Sequence, residues 1–204
     1  MHLVPTEEEV IALLRETGAL RIGHFQYPNG MHSNQYLQVP LAFRYYQHAR
    51  TLSVSLSRLI RANTELRAMI PELSIVAPAT GGLPVAFGVC EALRARKVYW
   101  AEKENESSPI RFRQFLEVEK GEKVLLVDDI LRSGRKLAEL RNLVAASGGE
   151  VVGLAVIVYQ PTPSTPNFHP IPLYYLAKLD AMYFSEGPSC DLKEPDAPVQ
   201  RVWV

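Results

Sequence analysis

Cysteine is scarce in this chain, neither sign of charge is in excess, and no apolar run is long. Only Cys90 and Cys190 are present, far apart and at no metal-ligand spacing, which argues against a disulfide scaffold or a zinc module. Lys plus Arg number 22 and Asp plus Glu number 22, so no overall basic field points to nucleic acid and no acidic tail to a solvating segment. No apolar segment approaches the roughly 20 residues that cross a bilayer. Nothing at the N-terminus resembles a charged leader followed by an apolar run. Internal repeats and low-complexity tracts are missing too. The expectation is a cytoplasmic protein with reduced thiols and no nucleic-acid or membrane partner. Its 204 residues suit one α/β domain with an appendage.

What is there alternates helix and strand. Thr6 followed by Glu7, Glu8 and Glu9 reads as a helix start, with Val10, Leu13 and Leu14 as its apolar stripe and an end near Gly18. From Ala19 to Pro40 the pattern is short and irregular, with a Pro28-Asn29-Gly30 turn and a strand-like stretch at 35–39, as in a small lobe. A long helical pattern covers 47–68, "SIVAPAT" (74–80) reads as a strand leaving for a loop, and 84–95 as the next helix. "KVYWAEK" (97–103) is a strand and 104–109 a mobile loop; "IRFRQFLEV" (110–118) alternates like an edge or hairpin strand. The aliphatic run Val124–Val127, a helix over 136–147 and "VVGLAVIVY" (151–159) complete a mostly parallel sheet flanked by helices. The proline-rich tail, 161–204, is expected to wrap the surface, with "PLYYLAKL" its one regular piece.

The chemistry concentrates in "VLLVDDILRSGRKL" (124–137), a buried strand running into two acids and a cationic turn. Ligands of open α/β sheets bind outside the carboxyl ends of the strands. Adjacent carboxylates repel, a cost that is tolerable when both face hydroxyls or cations, and the cis-diol of a ribose fits Asp128 and Asp129. A loop of backbone N–H groups entering a helix is an anion site, so residues Arg132, Ser133, Gly134, Arg135 and Lys136 suit a sugar phosphate. A second turn, "PATGGLP" (78–84), brings Thr80, Gly81 and Gly82 to another strand end, where the backbone can approach an anion closely. Plainer readings stand beside these. The acids cap the next helix, the three cations form a solvated helix face, and Lys103 with Glu104 is an exposed pair. His24 and His32 are hydrogen-bonded structural residues rather than ligands, and Cys90 a small apolar helix residue.

The acidic pair and its loop resemble the phosphoribosyl-pyrophosphate (PRPP) motif of type I phosphoribosyltransferases. Further stretches resemble the orotate phosphoribosyltransferase branch: "GALRIGHFQYPNGMHSNQYLQVPLAF" (18–43), "PATGGLPVAFGVCEAL" (78–93), "AEKENESSPIRFRQF" (101–115) and "SEGPSCDLKEPDAPV" (185–199), the last a worn form of a cysteine-bearing tail. The resemblance implies a single domain. Residues 1–45 form the first helix and a hood lobe shared with the tail, 46–160 the α/β core with a flap at 101–115, and 161–204 the tail. It implies transfer of ribose 5-phosphate from PRPP to a nucleobase, orotate first, in a homodimer whose flap reaches the neighbouring site. Asp128 and Asp129 then hold the ribose, 132–136 the 5-phosphate and Thr80-Gly81-Gly82 the leaving pyrophosphate. Lys103, Arg111 and Arg113 contact that pyrophosphate, and Mg2+ rides on it without direct protein ligands.

Four departures qualify the likeness. Arg132, Arg135 and Lys136 replace hydroxyl residues of the family loop, and either grip the phosphate or fill its place. The family's lysine in the early turn is Pro28 here, and its base-contacting arginine falls at Gln160. The flap lacks the usual Lys-x-x-Lys-x-His run. Transfer to another base, or a PRPP or nucleotide sensor without turnover, therefore stands as the alternative. A phospho-receiver domain, whose opening strand also ends in paired acids, fails because too few strands follow Val127.

Overall fold

The computed structural model describes residues 4–105, 107–180, 183–184 and 199–202. The tail stretch 185–198, with Cys190, lies outside them. In chain order the elements are α1 (Glu7–Glu16), β1 (Leu20–Gln26), β2 (His32–Leu37), α2 (Pro40–Phe43), α3 (Tyr46–Ala62), α4 (Thr64–Met69) and, after a 3-10 turn, β3 (Ser74–Pro78). They continue as α5 (Gly82–Leu93), β4 (Lys97–Glu102), β5 (Arg111–Phe112), β6 (Lys123–Leu131), α6 (Arg135–Ala146), β7 (Glu150–Tyr159), β8 (Leu173–Lys178), β9 (Tyr183–Phe184) and β10 (Gln200–Arg201). α1 begins as its sequence requires: Thr6 and Glu9 form a reciprocal capping box.

Six strands form the main sheet in the order β5-β4-β3-β6-β7-β8, parallel throughout except for β5. Its central strands are apolar on both faces because helices cover both. Ile75, Ala77, Leu125, Val127, Ala155 and Ile157 pack with α1 to α5, while Val76, Val124, Leu126, Leu154 and Val156 meet Leu137, Leu140 and Val144 of α6. A second sheet, β10-β1-β2-β9, is the hood, with two of its strands supplied by the tail.

Three expectations need correction. The long helix over 47–68 is broken at Asn63, whose side chain accepts from Leu66 N and caps α4. The alternating 110–118 stretch pairs as a strand only at Arg111–Phe112. Its apolar residues Ile110 and Val118 are buried without a ladder, so the alternation reflects burial rather than strand pairing. The tail does more than wrap the surface: β8 is a parallel strand of the main sheet, in register with β7.

The chain leaves β3 toward β4 on one side and returns as β6 on the other, which makes β3 and β6 the switch point of the sheet. Their pairing ends at Val76 and Leu126, and β6 runs on beside β7 to Leu131. The carboxyl ends of the two strands thus part, and a crevice opens between them.

Candidate active site at the strand switch point

The crevice is a cleft of about 410 Å³. Tyr27, Tyr36 and Gln38 of the hood line one side, Thr80 and Gly81 another, and Asp128, Asp129 and the 132–136 loop the floor. A larger groove of about 850 Å³ lies between α1 and α3, away from the strand ends, and gathers none of these groups.

Asp128 and Asp129 lie within β6, not at a helix cap; the cap residue of α6 is Gly134. Asp128 is 6% exposed, and its Oδ1 accepts from Asp129 N at 2.9 Å, as Asp129 Oδ1 accepts from Ile130 N. Burial foremost, then the charge of Asp129, pushes the Asp128 carboxyl well above the usual carboxylate range, and Lys136 opposes the shift. Burial raises Asp129 as well. Among the described residues no cation forms an ion pair with either acid. The pair is therefore short of the hydroxyl or cationic partners that would make two buried charges tolerable.

The glycine turn is shaped by the acids beneath it. A Cβ on Gly81 would lie 3.0 Å from Asp129 Oδ2, and one on Gly82 would meet Asp128 Oδ1 and Pro78 Cδ at 3.0 Å and Val127 O at 3.3 Å. Gly-Gly is what lets this turn, which includes a cis Ala79–Thr80 bond, close over the carboxylates. Gly134 is needed twice, for its φ of +69° and because a Cβ would collide with Pro166 at 2.7 Å. No side chain caps α6, so the N–H groups of its first turn, in residues that line the cleft, are unclaimed by a cap.

The three loop cations separate. Arg135 is exposed, 3.9 Å from Glu139, and does not fill the cleft. Lys136 exerts its charge on both acids. The backbone of Arg132 is in the loop, where its carbonyl accepts from Thr165 Oγ1, but its side chain turns toward Gln160. The flap cations are not brought to the cleft. Lys103 pairs with Glu139 at 2.7 Å, Arg111 with Glu104 at 2.6 Å, and Arg113 with Glu102. The expected Lys103–Glu104 pair is thus replaced by two others. His24 Nε2 lies 2.6 Å from His32 Nδ1, a structural contact within the hood. Among the described residues no cluster of three or more His, Cys, Asp or Glu is placed to hold a metal. Sequence reasoning did not find Tyr27, Glu139 or Tyr183 as participants, and it met Gln160 only as the position of the family's base-contacting arginine.

An open, mostly parallel sheet with two glycine-bearing turns and a buried acidic pair at its switch point has the form of a site for phosphorylated sugars. The phosphoribosyl transferase domain family matches residues 46–171, and the chain belongs to that family. It is 32% identical over 151 residues to the orotate phosphoribosyltransferase of Desulforamulus reducens, 74% of each chain. It is also 32% identical over 187 residues to that of Acidithiobacillus ferrooxidans, 92% of this chain and 91% of the relative. Among solved structures it resembles orotate phosphoribosyltransferase from Aeropyrum pernix, with a TM-score of 0.65, 18% identity, and coverage of 83% of this chain and 93% of that one. Adenine phosphoribosyltransferase from Leishmania donovani is similar too, at TM-score 0.61 and 18% identity over 86% and 82% of the two chains. The fold is therefore common to transferases of different bases. No helix among the described residues is long and apolar enough to cross a membrane.

Proposed function

We propose that this chain transfers ribose 5-phosphate from PRPP to orotate, giving orotidine 5'-phosphate and pyrophosphate. The observation that carries this reading is the buried acidic pair, short of cations, beneath a glycine turn at the switch point. The names of the relatives quoted above direct it to orotate.

Asp128 and Asp129 accept hydrogen bonds from the ribose hydroxyls, which supply the donors that the pair lacks. The uncapped first turn of α6, with Ser133, Gly134 and Lys136, receives the 5-phosphate, and Thr80-Gly81-Gly82 before α5 receives the pyrophosphate. Breaking the glycosidic bond places positive character on the sugar and negative charge on the leaving group. The negative acids beside the ribose, and the flap cations once they reach the pyrophosphate, favour that separation. Two carboxylates with no third His, Cys, Asp or Glu grouped with them among the described residues suit Mg2+ that arrives on the pyrophosphate, where it would neutralise charge on the leaving group. Lys103, Arg111 and Arg113 act on pyrophosphate only after leaving their present acid partners, as a closing flap requires. A homodimer, in which that flap serves the neighbouring site, follows from the same reading, as does the division into hood, core and tail within one domain.

Loss of orotate absorbance in the presence of PRPP and Mg2+ tests the reaction. Turnover with adenine or uracil but not orotate would redirect it to another base. PRPP binding by calorimetry without product from any base would instead make the chain a sensor.

A further inference from the structure

The side chain of Arg132 departs from the loop that carries its backbone. Its Nε donates to Gln160 Oε1 at 2.9 Å, and its Cζ lies 5.8 Å from the ring centre of Tyr27 and 6.0 Å from that of Tyr183. Gln160 is 1% exposed and also accepts from the Tyr183 hydroxyl at 3.3 Å. A buried neutral oxygen therefore fixes a guanidinium beside aromatic rings of the hood. A carboxylate in that position would neutralise the cation; an amide leaves its charge available, with only part of its fork of about five donors engaged.

The ion pairs among the described residues involve Lys97, Lys103, Arg111, Arg113, Lys123 and Arg135, but not Arg132. Next to it, the Tyr27 hydroxyl is buried in a residue only 9% exposed; it makes no well-formed hydrogen bond among the described residues, and the Arg132 guanidinium beside it opposes the rise that burial imposes on the phenol. A cation without an acidic partner and a hydroxyl whose proton is still to be donated thus adjoin on the hood side of the cleft. They call for an anion with oxygen acceptors.

We infer that Arg132 determines base specificity, its guanidinium receiving the carboxylate of an acidic pyrimidine while the Tyr27 hydroxyl donates beside it. The inference rests on the transfer reading above. The 5-phosphate is the other anion the cleft would take, but its groups lie on the α6 side, whereas Arg132 is tethered to Gln160 at the end of β7 and to the hood rings. Selectivity for an acidic base over a neutral ring of the same shape follows.

Orotidine 5'-phosphate and uridine 5'-phosphate share ribose and phosphate and differ by the carboxylate, so their equilibrium binding, beside that of PRPP, isolates the residue even without turnover. The wild-type chain should prefer orotidine 5'-phosphate by about 10- to 100-fold, as expected for one charge-assisted contact. R132A should erase the preference while leaving uridine 5'-phosphate and PRPP within about twofold, and R132K, keeping charge but not the fork, should retain part of it. Equal weakening of both nucleotides and PRPP in R132A would make Arg132 a phosphate ligand and overturn the inference. An intact preference in R132A would do the same. A wild-type chain that binds both nucleotides equally defeats the inference alone, whereas one that binds neither nucleotide nor PRPP defeats the transfer reading beneath it.

Discussion

Asp128→Asn should make the free protein more stable while destroying its use for PRPP. Asp128 is buried beside a second carboxyl; its hydrogen bond from Asp129 N to Oδ1 survives in an amide of the same shape, and the amide N–H2 can donate to the Asp129 carboxylate in place of a shared proton. The substitution removes only the charge that burial and Asp129 disfavour. The relief is on the order of 1–3 kcal/mol, the cost of a buried group short of partners. For a chain of this size that is a rise in Tm of roughly 2–12 °C. The pH dependence fixes the sign. The folded carboxyl is raised above its ordinary 3.8, so the folded state holds its proton more tightly than the unfolded chain. Wild-type stability from this group is fully present below that value and is lost as pH rises through the folded pKa. The gap between variant and wild type should therefore be small near pH 4 and widen toward neutrality. Differential scanning calorimetry across pH 4–8 reads the gap, and titration with PRPP and Mg2+ should show affinity reduced by more than about tenfold. A variant that melts below wild type at neutral pH, or a gap that does not change with pH, would refute the account of a frustrated acidic pair.

Other consequences follow from individual contacts. Gly82→Ala would press a methyl group against Asp128, Pro78 and Val127 O; it should cost about 1–3 kcal/mol in chemical denaturation and weaken PRPP binding measured by calorimetry. Glu139→Gln would release Lys103 from its 2.7 Å ion pair; if that lysine serves pyrophosphate, KM for PRPP should fall by up to about fivefold, and an unchanged KM would place Lys103 outside the reaction. Lys97→Met at the opposite end of the sheet would strip Glu122 of its 2.6 Å partner and Tyr99 of a donor; it should lower stability by about 1.5–3 kcal/mol while leaving kcat/KM intact, since the group is far from the strand switch. Burial raises Glu122, but its hydrogen bonds, led by that from Lys97, hold it below the carboxylate range, so wild-type stability from this pair should fall as pH drops through that lowered value, visible in the same calorimetric series.

Much of the framework was legible because local signals and burial agreed. The capping box at Thr6, the aliphatic runs of β3, β6 and β7 and the glycines at the strand ends each state their role within a few residues. The break at Asn63 was equally local, an asparagine at a helix start, but the apolar stripe continuing into α4 through Leu66 concealed it. The tail was misjudged because proline density suggests surface, while residues 173–178 carry too short a pattern to reveal a parallel pairing with β7. Contacts between distant stretches lie beyond such signals: Arg132 meets Gln160 across 28 residues, and Lys103 meets Glu139 across 36.

The loop cations show why the remainder could not be read from spacing alone. In sequence, Arg132, Arg135 and Lys136 are one cluster within five residues, and a cluster invites a single role. In space they occupy three settings because the chain changes conformation between them. Arg132 lies just past β6, where its side chain can cross to the hood. Gly134 then reverses the backbone in the left-handed region, and α6 begins. On a helix, neighbours are about 100° apart, so Arg135 is carried toward Glu139 four residues on, while Lys136 exerts its charge on the acids. On the roles proposed above, the same five residues are divided among base, phosphate and solvent, and the reversal at Gly134 is what separates them. An alanine there would meet Pro166 at 2.7 Å and oppose the required φ, so the variant should lose the separation of roles before it loses the fold. Both the nucleotide preference and the PRPP affinity should fall together in Gly134→Ala, unlike R132A, in which only the preference falls.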